Sequence, residues 1–88
     1  MLEKEVIVKN RAGIHTRPAA LIVKLAAKYK SEIFLVRDGY SINAKSIIGV
    51  MTLAAEQGAR ITLSVDGIDE IQATNDIAEL FDTGFNEI

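Results

Sequence analysis

The 88-residue sequence is 49% hydrophobic and has a formal net charge of −2, which predicts one folded domain over residues 1–88 and argues against a disordered chain or a nucleic-acid binder. It has no cysteine and a single histidine, His15, so we expect no disulfide, no thiolate chemistry and neither a bound metal nor another cofactor. It has no long apolar run and no signal-peptide pattern, so we expect a cytoplasmic protein that does not insert into membranes.

The charge is distributed unevenly along the chain. Residues 1–45 contain nine of the ten lysines and arginines against four acidic residues, whereas residues 46–88 contain one arginine and eight acidic residues. His15 lies in the basic half, which suits an anionic ligand or an acidic partner. The same charges are also compatible with a surface that is merely well solvated, and composition alone does not decide between the two interpretations.

Two elements are predicted before residue 30. Residues 2–8 end in β-branched side chains, which favour a strand. Residues 18–29 predict a helix, because apolar residues recur there at helical spacing and both lysines lie off that stripe. The helix start is spread over residues 15–18, since proline suits a first helical turn but biases the residue before it away from helical dihedrals. The apolar stripe consists of Ile22, Leu25, Ala26 and Tyr29.

A β-hairpin and a short helix are predicted next. The dipeptide Asp38-Gly39 tolerates the positive φ angles of a type I′ turn, so we predict strands over residues 32–37 and 40–43. Ser46 is the expected N-cap of a helix that runs through residues 47–55 and stops by Gly58.

The last predicted elements are a strand and a helix. Residues 60–65 alternate apolar and polar side chains, which indicates a half-buried strand. The helix over residues 69–83 has one apolar stripe of Ala73, Ile77, Leu80 and Phe81, and Gly84 is expected to end it. The element order βαββαβα predicts an α+β fold of two layers, an antiparallel sheet with helices packed on one face and the other face open to water.

The residues around His15 favour phosphate chemistry. His15 lies where a loop enters the first helix, and the first helical turn has unpaired backbone N–H groups and the positive end of the helix dipole. That environment keeps the imidazole neutral and nucleophilic, while the guanidinium of Arg17 matches phosphoryl oxygens. Phosphoryl transfer asks mainly for positioning and charge stabilisation, so no metal is required. Taken by itself, a lone histidine at a helix start is more often a cap or a surface residue than a catalyst.

Four segments together carry a family resemblance. They are residues 13–20 (GIHTRPAA), 45–51 (KSIIGVM), 57–59 (QGA) and 66–70 (DGIDE). In their order and spacing they closely resemble the HPr family, the histidine-containing phosphocarrier proteins of the phosphoenolpyruvate-dependent sugar phosphotransferase system. The resemblance implies an open-faced sandwich of four antiparallel strands with three helices on one face, which agrees with the predicted element order.

The resemblance also assigns the candidate site. It implies that phospho-enzyme I phosphorylates His15, in the family on Nδ1, and that Arg17 supports the phosphoryl group. Thr16 stands where alanine is common in the family, and its hydroxyl is expected either to cap the helix or to contact the phosphate. The presence of His15 excludes the catabolite-repression paralogues that lack a phosphorylatable histidine.

Ser46 has two interpretations, which we keep open. As a plain N-cap it contributes about 1 kcal/mol to stability. The resemblance implies regulatory phosphorylation by an HPr kinase/phosphorylase, with a catabolite repressor as a further partner. A phosphate is favoured at a helix start, and its charge would oppose docking to an acidic partner.

The second helix is also the candidate docking surface. Its apolar run over residues 47–53 is too long for one buried stripe, so part of it is expected to be exposed. In the family this helix and the first one dock enzyme I and the IIA domains of sugar permeases. The expected partner-binding residues are Ile47, Ile48 and Met51, with Lys24 and Lys45 at the rim to raise the association rate.

We therefore predict a phosphoryl carrier, not a turnover enzyme. It accepts a phosphoryl group on His15 from enzyme I, passes it to IIA domains and is expected to be a monomer. One alternative is a nitrogen-branch or purely regulatory protein of the same fold. A second is a small hydrolase of phosphoryl or acyl esters, because a compact α+β sandwich can hold an arginine-based anion site.

Overall fold

The computed structural model describes residues 1–87 of the chain. Its elements follow the predicted βαββαβα order. They are β1 (Leu2–Ile7), α1 (Thr16–Ala26), β2 (Glu32–Arg37), β3 (Tyr40–Asn43), α2 (Ile47–Thr52), β4 (Arg60–Asp66) and α3 (Glu70–Asp82), followed by a 3₁₀ turn (Gly84–Asn86). None of the described helices is long and apolar enough to cross a membrane.

The four strands form one antiparallel sheet in the order β1-β4-β2-β3. Alternate strand residues point to a single apolar core that they share with the buried stripes of the helices. The strand residues in this core are Val6, Ile33, Leu35, Ile61, Leu63 and Val65. The predicted fold, an open-faced sandwich with the helices on one face, is confirmed.

The β2–β3 hairpin has the predicted turn. Asp38 and Gly39 have φ angles of 50° and 83°, and two successive positive values define a type I′ turn. Arg37 pairs with Tyr40 directly across this turn, so the two flanking strands leave it in register.

The first helix starts within the predicted range of residues 15–18 but ends earlier than predicted. α1 begins at Thr16, with His15 as its N-cap, and Pro18 lies in the first turn, where its missing N–H removes no helical hydrogen bond. The predicted end at Tyr29 was wrong, because the amides of Lys28 and Tyr29 donate to carbonyls only three residues back, which tightens the last turn. Within the predicted stripe Ile22 and Ala26 are fully buried, whereas Leu25 and Tyr29 are only partly buried.

The second helix also ends before its predicted limit. α2 stops at Thr52, and Ala54 adopts a left-handed φ of 47°. The guanidinium of Arg37 donates to the carbonyl of Leu53 at 3.2 Å, and the amide of Ile14 donates to the carbonyl of Ala55 at 2.9 Å. The prediction through residue 55 was wrong because the left-handed backbone of Ala54 interrupts the helix, and groups distant in the sequence hold the segment that follows.

The chain after α3 forms additional structure that the sequence did not predict. Gly84 ends the helix as expected, but a 3₁₀ turn follows in which Phe85 is fully buried at a left-handed φ of 56°. Its ring packs edge-on against Phe81, with ring centroids 5.0 Å apart. Anchoring Phe85 in the core brings Glu87 back to the start of α1.

Candidate functional site

The backbone leading to His15 is held against the segment that follows α2. Gly13 has a φ of +74°, and a Cβ atom there would lie 2.4 Å from the carbonyl oxygen of Ala55, so only glycine fits this approach. Ile14 is buried and its amide bonds the same carbonyl. These contacts fix the start of α1 and leave the His15 side chain 44% exposed, which makes it accessible to a partner protein.

The imidazole of His15 is in contact with a carboxylate at only one of its two nitrogens. Its Nε2 lies 3.0 Å and 3.1 Å from the two carboxylate oxygens of Glu87. A carboxylate accepts hydrogen bonds, so this contact assigns the proton of the neutral ring to Nε2 and the lone pair to Nδ1. Nδ1 makes no hydrogen bond to any residue in the range 1–87, and it is the nitrogen left available for chemistry.

Arg17 stands beside the histidine in the first turn of α1. Its Nη1 donates to the carbonyl oxygen of Phe85 at 3.1 Å and to Glu87 Oε2 at 3.0 Å. Within the described part of the chain its Nε and Nη2 have no partner, and the side chain is 52% exposed. The guanidinium is therefore oriented by the C-terminal segment while part of its donor fork stays available to an anion.

Glu87 connects these groups and was missed by the sequence analysis. Its carboxylate accepts hydrogen bonds from Asn10, His15 and Arg17, and its side chain is 17% exposed. The hydrogen bond from His15, followed by those from Asn10 and Arg17, lowers the pKa of Glu87 against the opposing effect of desolvation. No motif marks this residue, because its contact with His15 spans 72 positions in the chain. The sequence predicted only positive groups around the imidazole, namely Arg17 and the start of α1, and the structure adds the negatively charged carboxylate of Glu87.

Thr16 does not cap α1. It is the first helical residue, and the N-cap position belongs to His15, which makes no side-chain cap hydrogen bond. The capping alternative for Thr16 was therefore wrong. Contact between its exposed hydroxyl and a phosphate stays a prediction.

Ser46 is the N-cap of α2, as predicted. Its Oγ accepts a hydrogen bond from the amide of Gly49 at 3.1 Å. The side chain is nevertheless exposed to solvent. The capping role is confirmed, and regulatory phosphorylation stays a prediction.

The apolar run of α2 is divided as the sequence predicted. Val50 and Leu53 are buried, whereas Ile47, Ile48 and Met51 are 39%, 75% and 43% exposed. We call these three exposed residues the α2 patch. Its role in docking stays a prediction.

The two lysines expected at the rim of the α2 patch have different environments. Lys24 is exposed in the last turn of the neighbouring helix α1. Lys45 is half-buried, and its Nζ donates to the carbonyl oxygen of Tyr29 at 2.7 Å. Lys45 therefore connects the turn that follows α1 to the residues just before α2, a structural contact that the sequence did not reveal.

The site around His15 is an open surface. A cavity of about 400 Å³ lies between the β2–β3 hairpin and α2, and His15 does not line it. Within residues 1–87 there is no group of three or more histidine or acidic side chains placed to hold a metal ion. The groups that meet at this open surface are the His15 imidazole, the Arg17 guanidinium and the start of α1.

Comparisons with known proteins point to one family. A sequence profile described as "PTS HPr component phosphorylation site" matches residues 2–83. The phosphocarrier protein HPr of Treponema pallidum is 52% identical over 87 residues, which cover 99% of this chain and 99% of that protein. The HPr-like protein Crh of Bacillus subtilis is 42% identical over 78 residues, 89% of this chain and 92% of that one.

Solved structures agree with the sequence comparisons. The crystal structure of HPr-C-His from Thermoanaerobacter tengcongensis has a TM-score of 0.95 and 41% identity, covering 100% of this chain and 99% of that one. A crystal structure of an HPr dimer from the same organism has a TM-score of 0.80 and 41% identity, covering 99% and 100%. This dimer conflicts with our expectation of a monomer, and that expectation is withdrawn.

Proposed function

Because this chain belongs to the HPr family, whose members are phosphocarrier proteins and not turnover enzymes, we propose that it accepts a phosphoryl group on His15 from phospho-enzyme I and passes it to the IIA domains of sugar permeases. The observation that carries the proposal is the Glu87 carboxylate, 3.0 Å from Nε2 of His15, which leaves Nδ1 with an available lone pair. Nδ1 is also the acceptor nitrogen that the family resemblance implies.

The proposed transfer exchanges one bond to phosphorus for another. The Nδ1 lone pair of His15 attacks phosphorus in line, the Nδ1–P bond forms, and the bond between phosphorus and enzyme I breaks. The ring keeps its Nε2 proton and becomes positively charged as the new bond forms. The Glu87 carboxylate at 3.0 Å stabilises that charge, and transfer to a IIA domain reverses the step.

The transferred group would lie among hydrogen-bond donors. The start of α1 has no side-chain cap, so backbone N–H groups of its first turn remain available to phosphoryl oxygens. The Nε and Nη2 groups of Arg17 add donors of positive charge, and Glu87 and the carbonyl of Phe85 hold the guanidinium in place. The site offers charge stabilisation without enclosing the phosphoryl group, as a carrier that serves several partners requires.

The proposed docking face combines the α2 patch with Lys24. The patch has apolar side chains 39% to 75% exposed next to α1, which suits a small interface of short lifetime. The exposed ammonium of Lys24 raises the rate of encounter with an acidic partner.

We also propose that Ser46 regulates docking. The exposed serine directly precedes the α2 patch, so its phosphorylation by an HPr kinase/phosphorylase would add about two negative charges beside the docking face. Recognition by a catabolite repressor would be a further consequence. A nitrogen-branch role is the remaining alternative, and comparing phosphorylation rates with sugar and nitrogen paralogues of enzyme I separates the two.

Phosphorylation with labelled phosphoenolpyruvate and enzyme I tests the central proposal. We expect a stable, acid-labile label on the protein and none on His15→Ala. Unlabelled His15→Ala should still slow labelling of the wild-type chain by competing for enzyme I, which would show that the variant is folded and docks. Label retained by His15→Ala would refute the assignment of the acceptor, and rapid release of free phosphate by the protein alone would refute the carrier role.

A further inference from the structure

Asn10 is a buried side chain that directly contacts the candidate site. It is 1% exposed, and its Nδ2 donates to the carbonyl oxygen of Gly13 at 2.7 Å and to Glu87 Oε1 at 3.0 Å. Its Oδ1 has no hydrogen-bond partner in the described part of the chain. Because both neighbouring groups are acceptors, the amide nitrogen must face them, which fixes the orientation of the side chain.

The position of Glu87 depends on contacts from two directions. Phe85 anchors the C-terminal segment in the core, and its carbonyl oxygen binds Arg17. Nε2 of His15 lies within 3.1 Å of both carboxylate oxygens, Asn10 donates to Oε1 and Arg17 donates to Oε2. Without the Asn10 amide, Arg17 would hold only Oε2, and the orientation of the carboxylate against the imidazole would be less restricted.

We propose that Asn10 is a positioning residue of the transfer site, whose buried amide holds the Glu87 carboxylate against Nε2 of His15 and thereby keeps Nδ1 as the acceptor nitrogen. This inference rests on the proposed transfer through His15. Asn10 touches neither the reacting nitrogen nor the phosphoryl group, so it acts through Glu87.

A neutral amide is chemically suited to this role. It orients the carboxylate without adding a second positive charge to the one supplied by Arg17, so the negative charge of Glu87 remains available to the imidazole. The buried amide also leaves its own oxygen unpartnered, which destabilises a fold. The role of its N–H groups in holding the Glu87 carboxylate explains why a buried amide stands at this position despite that cost.

Nuclear magnetic resonance of the ring nitrogens tests the proposal independently of activity. At about pH 8, above the usual histidine range, we expect the wild-type His15 to be mainly the Nε2–H tautomer and Asn10→Ala to show a mixture of tautomers. The midpoint of Glu87 titration should rise toward the ordinary glutamate value in the variant, because one hydrogen bond to the carboxylate is lost. Asn75→Ala, the same substitution at an exposed position of α3, should change neither quantity.

Kinetics then test whether Asn10 acts through Glu87. Asn10→Ala should slow labelling by phospho-enzyme I roughly threefold to tenfold, and the same substitution should have no further effect in a Glu87→Ala background. If Asn10→Ala does not fold, Asn10→Asp preserves the size of the side chain while removing its donor.

The outcomes separate this inference from the proposed function. An unchanged tautomer and unchanged Glu87 titration in the Asn10 variants would overturn the positioning role, as would equal slowing with and without Glu87, which would indicate a purely structural role through Gly13. Failure of the wild-type chain to accept phosphate would overturn the proposed function, and the tautomer measurement would still decide the role of Asn10.

Discussion

The helices α1 and α2 both begin with an extended N-cap residue, but their first turns are completed in different ways. At α2 the hydroxyl of Ser46 accepts a hydrogen bond from Gly49, three residues ahead. At α1 the side chain of His15 makes no cap bond and is held by Glu87, 72 positions away. A side-chain cap gives one backbone N–H group of the first helical turn a hydrogen-bond partner, whereas a helix start without such a cap keeps its N–H groups available to a ligand.

The largest expected effect concerns the uncapped start of α1. Arg17→Ala should slow phosphoryl transfer by about 100-fold, because a charged donor to the transferred group is lost. Thermal stability should change little, since the side chain is about half exposed and exposed ion pairs contribute little. Quench-flow labelling and thermal melts measure the two effects.

Lys24→Ala is the matched control for Arg17→Ala, as an exposed cation on the same helix. It should alter the association rate by a small factor and leave the transfer step unchanged. If Arg17→Ala caused a large loss of stability with no specific loss of transfer, Arg17 would be a structural residue. The proposal that the start of α1, unlike that of α2, is kept available for a phosphoryl group would then be contradicted.

The next prediction concerns the surface beside the capped start of α2. Ile48→Ser should raise the KM for phospho-enzyme I roughly fivefold, as expected when an interface contact worth about 1 kcal/mol is removed. The Tm should not fall, because Ile48 is 75% exposed. Ile71→Ser is the control at a similarly exposed position, 68%, on α3. Equal effects of the two variants on KM would argue against the α2 patch as the docking face.

Two substitutions at Ser46 separate capping from charge. Ser46→Ala should lower stability by about 1 kcal/mol and the Tm by roughly 4–8 °C, because the acceptor for the Gly49 amide is lost. Ser46→Asp keeps an acceptor and should preserve the Tm, while its charge weakens docking to enzyme I. Transfer kinetics and melts on the same samples distinguish the effects, and unchanged kinetics in Ser46→Asp would count against regulation through charge.

The smallest expected effect is the pH dependence of the contact made by Glu87. Its pKa is lowered in the folded protein by hydrogen bonds from His15, Asn10 and Arg17, so the stability it contributes is present above the ordinary glutamate pKa and is lost as the pH falls through the folded value. The Tm of Glu87→Gln should therefore lie slightly below that of the wild type at pH 7, and the difference should disappear in acid.

Melts from pH 7 to about pH 3 measure this difference. Comparing the two proteins removes the effect of the other carboxyl groups, such as Asp69 and Asp76, whose lowered pKa values are common to both. A Tm difference that stays constant over the whole range would show that the Glu87 carboxylate does not contribute through its charge.

Much of the fold and part of the site followed from the sequence alone. The turn at Asp38-Gly39, the cap at Ser46 and the exposed part of α2 depend on contacts within a few residues, which the sequence displays directly. The adjacency of His15 and Arg17 at the start of α1 is equally local. These features define what kind of chemistry the site offers.

The tertiary structure alone decided how that chemistry is arranged. After α2 the chain turns at the left-handed Ala54 and is held there by Arg37 and Ile14. The free nitrogen of His15 is selected by Glu87, whose position depends on the packing of Phe85 in the core. Such contacts join residues far apart in the chain, so they cannot be predicted from secondary-structure propensity or hydrophobic periodicity, which are local properties of the sequence. The sequence alone thus identified His15 as the candidate reactive group and predicted the helix that it begins, while packing of the C-terminal segment decided which ring nitrogen faces a carboxylate and how Arg17 is oriented.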